Sequence, residues 1–351
     1  MTKKTIIFTG GGSGGHVMPA LTLIAKLPGF DIEYIGGRYG IERTLVSSKV
    51  SHYHPIFTGK LRRYFSIQNF IDIFKIGLGL LQSFQILILK HRDTIVFSTG
   101  GFVSVPVVIA AWLTGKRIYI HEQTTRVGLA NKISSKFADK IFVSFEESLK
   151  FFPKEKTELS GYPVREDCFS PVSEKMSLED IDLKKINKPL LLVTGGGNGS
   201  KLVNDLIKDS LEELKDNYFI VHQVGKKCIA EYLQFKSDNY IPVDFINENM
   251  IEIMKLADII ISRAGAGMVC ELMAINKPSV FIPLKIAQKN EQFHNAKEAE
   301  QQIGSLVIEE DEISDLNLIK IINKFNNRNT IVREEETFNN GTDYLIRFLN
   351  S

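Results

Sequence analysis

Short apolar runs alternate along the chain with amphipathic stretches and glycine-rich loops. The run Thr5–Thr9 (TIIFT) ends in Gly10-Gly11-Gly12-Ser13-Gly14-Gly15-His16, and an amphipathic stretch follows from Pro19. That order predicts strand, glycine loop, helix. The same punctuation returns at Leu190–Thr194, then Gly195-Gly196-Gly197-Asn198-Gly199-Ser200, then a helix from Lys201. Other runs read as buried strands lie at 32–35, 94–98, 117–120, 140–144, 218–223, 241–243, 257–261 and 280–283. Strands alternating with helices predict mainly parallel sheets. The expected fold class is α/β, with two Rossmann-like domains facing across a cleft. The expected boundaries are an N-terminal domain over 1–163, a charged, weakly patterned linker over 164–188 and a C-terminal domain over 189–330. Residues 331–351 are expected as a C-terminal helix docking back on the N-terminal domain through Tyr344, Leu345, Phe348 and Leu349.

One stretch departs from the rhythm. Ile67, Phe70, Ile71, Phe74, Leu78 and Leu81 recur at helical spacing, and Ile73, Ile76, Leu80 and Phe84 lie off that stripe. Lys60, Arg62, Arg63, Lys75, Lys90 and Arg92 rim it. One face can pack on a sheet, and the surplus apolar surface fits an interfacial membrane patch. A fully buried helix pair is the alternative.

The chain has 351 residues, enough for two domains, and its 44% hydrophobic and 24% charged content is that of a globular protein. Net charge is +2 but uneven. Residues 1–163 carry 21 Lys and Arg against 11 Asp and Glu, a balance of +10; the remainder carries 22 against 30, a balance of −8. A basic half suits an anionic partner: nucleic acid, though no nucleic-acid motif is present, or anionic lipid as the other candidate. Cys168, Cys228 and Cys270 are scattered and odd in number, which fits a reducing compartment rather than a disulfide framework or a metal site. The N-terminus runs directly into a strand, unlike a signal peptide, and no uncharged apolar stretch is long enough to span a bilayer.

Candidate chemistry concentrates in two places. After the apolar run ending at Ile261 come Ser262-Arg263, and Ala264-Gly265-Ala266-Gly267 then opens a helix that carries Glu271. Small residues there let an anionic ligand approach N–H groups that have no helical partner. Glu271 can accept hydrogen bonds from sugar hydroxyls. The loop after 280–283 brings Glu291, Gln292 and Asn295 back toward the same crevice. The combination fits a nucleotide diphosphate carrying a polar group; an ordinary β-α-β unit with a glycine turn is the alternative. The second place is the first glycine loop. A dinucleotide fold is disfavoured, because strand 32–35 ends in Gly36-Gly37-Arg38 without an acidic residue for a ribose. His16 suits a general base, since an imidazole ordinarily titrates near neutrality, or else it packs the helix start. His121-Glu122-Gln123 stand at the carboxyl end of a strand, where open α/β sheets keep their ligands.

Taken together, these stretches resemble the MurG family of bacterial, peripheral-membrane N-acetylglucosaminyltransferases. The carriers are GGGSGGHVMPAL (10–21), TGKLRRYFSIQNF (58–70), STGGFVSVPVVIAA (98–111), HEQ with GLANK downstream (121–132), SGYPVR (160–165), TGGGNGS (194–200) and SRAGAGMVCEL through EQFHNA (262–296). The resemblance implies a GT-B fold and inverting transfer of GlcNAc from UDP-GlcNAc to the MurNAc 4-hydroxyl of lipid I, making lipid II at the cytoplasmic face of the bacterial membrane. It implies His16 as catalytic base and matches Glu122 to a polar residue of the cleft; Glu122, at the end of its own strand, is the competing candidate for the base. It matches Ser13, Gly14 and Gly15 to a donor-sugar loop, and Arg165 and the 195–200 loop, with Gly197 and Asn198, to the diphosphate. Ile246 matches the position that reads uracil. Ala266, Gly267 and Met268 match the helix start under the diphosphate, Glu271 the ribose carboxylate, and Gln292 a GlcNAc contact. Asn131, Asn198 and Glu291 are further expected cleft residues. The implied partners are UDP-GlcNAc, lipid I and an anionic membrane surface met through Ile67, Phe70, Phe74, Leu78 and the basic rim. No cofactor, metal or nucleic acid is expected. The chain departs from the pattern at Thr124, where many members have Asn, at Gly197, where many have Ser, and at Gly267-Met268 in place of Leu-Thr. The last two changes remove hydroxyls near the phosphates. Another GT-B lipid glycosyltransferase of the diacylglycerol type, a UDP-GlcNAc 2-epimerase and a non-catalytic sugar-nucleotide-binding subunit are the alternatives.

Overall fold

The first sheet is built from seven short strands: β1 (Thr5–Thr9), β2 (Asp31–Gly37), β3 (His52–Ile56), β4 (Ile95–Ser98), β5 (Arg117–Glu122), β6 (Lys140–Val143) and β7 (Thr157–Leu159). They pair in parallel in the order β3-β2-β1-β4-β5-β6-β7. A parallel sheet is covered on both faces, so its inner strands read as unbroken apolar runs; Ile6, Ile7 and Phe8 are fully buried. The computed structural model describes residues 3–59, 67–246, 249–315, 317–327 and 338–351, without the side chains of 67–71, 288, 314 and 315.

The second sheet holds six parallel strands: β10 (Leu190–Thr194), β11 (Phe219–Gln223), β12 (Tyr240–Val243), β13 (Ile259–Ser262), β14 (Val280–Phe281) and β15 (Leu306–Val307). Their order is β12-β11-β10-β13-β14-β15. A small antiparallel hairpin, β8 (Ser177–Leu178) with β9 (Ile181–Asp182), precedes them. The chain divides into two compact units: Met1–Val164 with Asn339–Ser351, and Arg165–Phe338.

In each unit the glycine loop follows the strand at which the sheet order reverses, β1 in one and β10 in the other. Such a reversal point leaves a crevice at the carboxyl ends of the strands, where ligands of open α/β sheets bind.

Three segments differ from expectation. Residues 164–188, expected as a linker, belong to the second unit from Arg165 onward. Met176 and Leu183 are buried around the β8-β9 hairpin, and Lys255 Nζ donates to the carbonyls of Asp167 and Ser170. A few anchored apolar side chains suffice to hold a segment that is otherwise largely polar and exposed. Strand β3, HYHPI, carries no apolar run because it lies at the sheet edge; Pro55 is tolerated there, where a missing N–H costs no ladder bond.

The helix Ile67–Ile88 is not fully buried. Gly79, Ser83 and Leu87 are buried, and Leu80, Phe84 and Ile86 pack on the core. The helix nevertheless exposes Ile73 (57%), Phe74 (71%) and Leu81 (62%), while Leu78 is half-buried. Core contact thus falls on Leu80 and Phe84, off the sequence stripe, and the stripe's Phe74 and Leu81 meet solvent. Lys60, Arg62, Arg63 and the side chains of Ile67, Phe70 and Ile71 lie outside the described residues.

The helix Gly341–Asn350 packs on the first unit. Leu345 and Leu349 are buried in its core, the Phe348 ring lies 4.9 Å from that of Phe142, and Tyr344 Oη donates to Glu158 Oε2 at 2.7 Å.

Candidate active site

In the first unit, β1 runs into the loop that begins the helix Gly14–Ile24, with Ser13 at its N-cap in extended conformation. Two buried groups shape this loop. Tyr34 Oη donates to the Gly10 carbonyl at 2.8 Å. Glu42, 0% exposed, accepts from Gly12 N–H at 3.1 Å and from Gly37 N–H at 2.9 Å. A Cβ at Gly11 would stand 2.4 Å from the Glu42 carboxyl carbon, so any larger residue there would have to displace the carboxylate that holds the loop.

His16 is half-buried in the first turn of that helix. Its Nδ1 lies 3.1 Å from the Thr99 carbonyl and 3.4 Å from Gln123 Oε1. Both neighbours are acceptors, so Nδ1 carries the proton and Nε2 keeps its lone pair. Thr99 also binds back, its Oγ1 donating to the His16 carbonyl at 2.6 Å. Gln123, 1% exposed, donates Nε2 to His121 Nδ1 at 3.2 Å and to the His121 carbonyl at 3.0 Å. His121 Nε2 in turn donates to the Gly161 carbonyl at 3.1 Å. Burial pushes the His121 pKa down to about 4, so this ring stays neutral and serves as scaffold.

Glu122 is placed differently from a free base. It is 2% exposed, and Oε1 accepts from Thr124 N–H (3.1 Å) and Thr124 Oγ1 (2.8 Å). Oε2 accepts from Gly128 N–H (3.3 Å) and Asn131 Nδ2 (3.1 Å). A carboxylate satisfied in this way ties its own loop together. Thr124 and Asn131 belong to the same staple, and Asn131 Nδ2 also reaches the His121 carbonyl at 3.1 Å. Ser13 and Gly15 are exposed and Gly14 half-buried, open to a ligand.

In the second unit, Arg165 and Glu271 form a bidentate ion pair, Nε to Oε1 at 2.7 Å and Nη2 to Oε2 at 3.0 Å. Burial lowers the Arg165 pKa, but the neighbouring Glu271 outweighs it and holds the guanidinium above its ordinary value. Glu271 rides on the helix Ala266–Ala274, whose N-cap Gly265 is extended. The N–H groups of Ala266, Gly267 and Met268 form its first turn, half-buried and without intrahelical acceptors. In the 195–200 loop, Gly196 has φ +81° and donates N–H to Thr194 Oγ1 at 3.0 Å, while Gly197 and Asn198 are exposed.

Gln223, 1% exposed at the end of β11, links these parts. Its Nε2 donates to Thr194 Oγ1 and the Gly196 carbonyl, both at 3.0 Å, and its Oε1 accepts from Ile246 N–H at 2.7 Å. The Ile246 N–H is therefore engaged within the unit. Arg263, 8% exposed, donates to Ser200 Oγ at 3.0 Å and the Ile282 carbonyl at 2.9 Å, and pairs with Glu310 at 2.6 Å. Gln292 Oε1 accepts from Leu284 N–H at 3.0 Å, and Asn295 Nδ2 donates to the Ala264 carbonyl at 3.3 Å. Glu291 is half-buried at the start of the helix Glu291–Ile303.

Within the second unit the structure thus joins Arg165 to Glu271, and the 195–200 loop to Ile246. Sequence reasoning passed over Glu42, Thr99, Gln223 and Arg263 as site-shaping residues. Thr99, Gln223 and Arg263 stand at or just past the carboxyl end of a strand, the signal that had singled out His121-Glu122-Gln123. Glu42 carries no such mark. Among the described residues, no cluster of His, Cys, Asp or Glu could hold a metal ion, and all three cysteines are free.

Residues 6–143 match the glycosyltransferase family 28 N-terminal domain, and residues 190–342 its C-terminal domain. The UDP-N-acetylglucosamine–N-acetylmuramyl-(pentapeptide) pyrophosphoryl-undecaprenol N-acetylglucosamine transferase of Clostridium tetani is 42% identical over 350 residues, 98% of this chain and 97% of the relative. The chain belongs to the MurG family. The Clostridium novyi enzyme of the same name is 40% identical over 99% of both chains. Family membership makes the protein a glycosyltransferase, with the His16 loop and the Arg165–Glu271 pair as candidate machinery. Acinetobacter baumannii MurG superposes with a TM-score of 0.69 at 23% identity, covering 99% of both chains. At that identity the likeness speaks for the GT-B fold alone.

Proposed function

We propose that the protein transfers N-acetylglucosamine from UDP-GlcNAc to the 4-hydroxyl of MurNAc in undecaprenyl-diphospho-MurNAc-pentapeptide (lipid I), forming lipid II for peptidoglycan synthesis. The observation that carries this reading is the 42% identity, across nearly the whole chain, to a transferase of that name. The second unit holds the donor. Arg165 and the helix start at Ala266–Met268 meet the diphosphate, Glu271 meets the ribose, the Ile246 carbonyl meets the base and Gln292 the sugar. The first unit supplies the base. As the acceptor oxygen attacks the anomeric carbon from the face opposite UDP, its proton passes to His16 Nε2. The bond to the UDP oxygen breaks, and UDP leaves with the electron pair. Donors aimed at the departing diphosphate favour that charge most in the transition state. The result is inversion at the anomeric carbon.

The protein works, on this reading, at the cytoplasmic face of the bacterial membrane as a peripheral enzyme, and so serves cell shape and division. Exposed Ile73, Phe74, Leu81, Ile88 and Leu89 offer apolar contact, and Lys75, Lys90 and Arg92 lie along the same stretch. No helix among the described residues is long and apolar enough to cross a membrane.

The test is incubation with labelled UDP-GlcNAc and either a lipid I analogue or diacylglycerol, with the product identified by mass. A disaccharide-lipid product from the lipid I analogue is expected. Transfer to diacylglycerol alone, or conversion of the donor without transfer, would refute the reading.

A further inference from the structure

Arg165 and Glu271 are 106 positions apart, yet they meet through two near-parallel hydrogen bonds of 2.7 and 3.0 Å. Two-point contact between a planar guanidinium and a planar carboxylate fixes the carboxylate's plane as well as its position. The side chains are 22% and 13% exposed, so the pair is more enclosed than a surface bridge but still open to a ligand. Arg165 is itself held. It caps the short turn Glu166–Cys168, and Lys255 tethers that turn through the carbonyls of Asp167 and Ser170. Each Glu271 oxygen takes one bond from Arg165 and retains a lone pair, while the guanidinium has N–H groups to spare.

We infer that Arg165 is the positioning residue for ribose recognition: it holds the Glu271 carboxylate so that its remaining lone pairs present a two-point acceptor for the vicinal hydroxyls of the nucleotide. The inference rests on the reading that the second unit binds a uridine diphosphate sugar. Free of Arg165, the Glu271 side chain samples several rotamers and must be ordered each time a ligand binds. Arg165 therefore contributes to ribose selectivity through Glu271, separately from any contact that its spare N–H groups make with phosphate. Arg and Lys are not equivalent in this role, because an ammonium has no planar fork.

The experiment compares the dissociation constants of UDP and 2′,3′-dideoxy-UDP by calorimetry, for the full-length native protein and for Arg165→Gln, Arg165→Lys and Glu271→Gln. The ratio of the two constants isolates the hydroxyl contribution, because phosphate contacts are common to both ligands. The native protein should prefer UDP by about tenfold to a hundredfold. The ratio should fall severalfold toward one in Arg165→Gln, Arg165→Lys and Glu271→Gln alike. If both nucleotides weaken by the same factor in the Arg165 variants and the native ratio survives, Arg165 acts on phosphate only and the inference is overturned. Should Arg165→Gln fail to fold, Arg165→Lys decides by the same ratio. A native ratio of one overturns the inference while leaving the donor reading intact. Native protein that binds neither nucleotide overturns the donor reading and the inference with it.

Discussion

His16 presents Nε2 because two acceptors, the Thr99 carbonyl and Gln123 Oε1, claim its Nδ1 proton. An imidazole fixed in this tautomer is ready to take a proton at Nε2 and to hold the resulting charge beside those acceptors. His16→Ala should lower turnover roughly 100- to 10,000-fold while UDP-GlcNAc affinity changes little. Glu122 is the informative control. Its four hydrogen bonds lie within its own loop, so Glu122→Gln should lower the melting temperature, yet the rise of turnover with pH should remain. Turnover against pH at saturating donor separates the two. Loss of the pH-dependent rise in Glu122→Gln, with near-normal turnover in His16→Ala, would reverse the assignment. Gln223 illustrates a different limit at this scale. Its strand-end position marks it only generically; its importance lies in joining two segments, through Thr194 and Gly196 at the end of β10 and Ile246 after β12.

At the scale of elements, the helix Ile67–Ile88 is apolar on two sides for two reasons. Leu80, Phe84 and Leu87 face the core of the first unit, whereas Phe74, Leu81 and Ile88 line an exposed stripe beside it and Ile73 is exposed in the N-terminal half. Exposed apolar side chains contribute little to folding but much to insertion at a lipid interface. Replacing Ile73, Phe74 and Leu81 together by Ser should leave the melting temperature nearly unchanged. Sedimentation with anionic vesicles should fall severalfold, with the loss greatest at low salt. Equal vesicle binding by a folded triple variant would move the membrane contact elsewhere. Periodicity identified this helix but did not say which side was core, because apolar residues recur on both sides. Only packing against neighbouring elements separates Leu80 from Leu81.

At the scale of the molecule, each unit buries one neutral imidazole. Burial lowers the pKa of His121 from 6.5 to about 4 in the first unit and that of His222 to about 3 in the second. The unfolded chain takes up protons at these positions near 6.5, before the folded protein does. Stability is thus complete above that value and declines as pH falls from 6.5 toward about 4 for His121, and on toward about 3 for His222. The melting temperature should drop between pH 7 and pH 5, before the carboxylates titrate, and His222→Gln should reduce the drop; an identical drop in that variant would remove His222 as a cause. Much of this architecture was present in local sequence. Strand, glycine loop and helix follow one another within a few residues at both Thr5–Ile24 and Leu190–Asp209, and backbone sterics and burial on both sheet faces act over that range. The α/β class, the two glycine loops and the helix start at Ala266 were legible for that reason. Side-chain partnership over long separations was not. The Arg165–Glu271 pair, the hold of Glu42 on the loop at Gly12 and the folding of 165–188 into the second unit depend on which segments the sheets bring side by side. Hydrogen bonds and ion pairs form by distance in space, and a single chain's residue order does not encode that distance until the strands have paired.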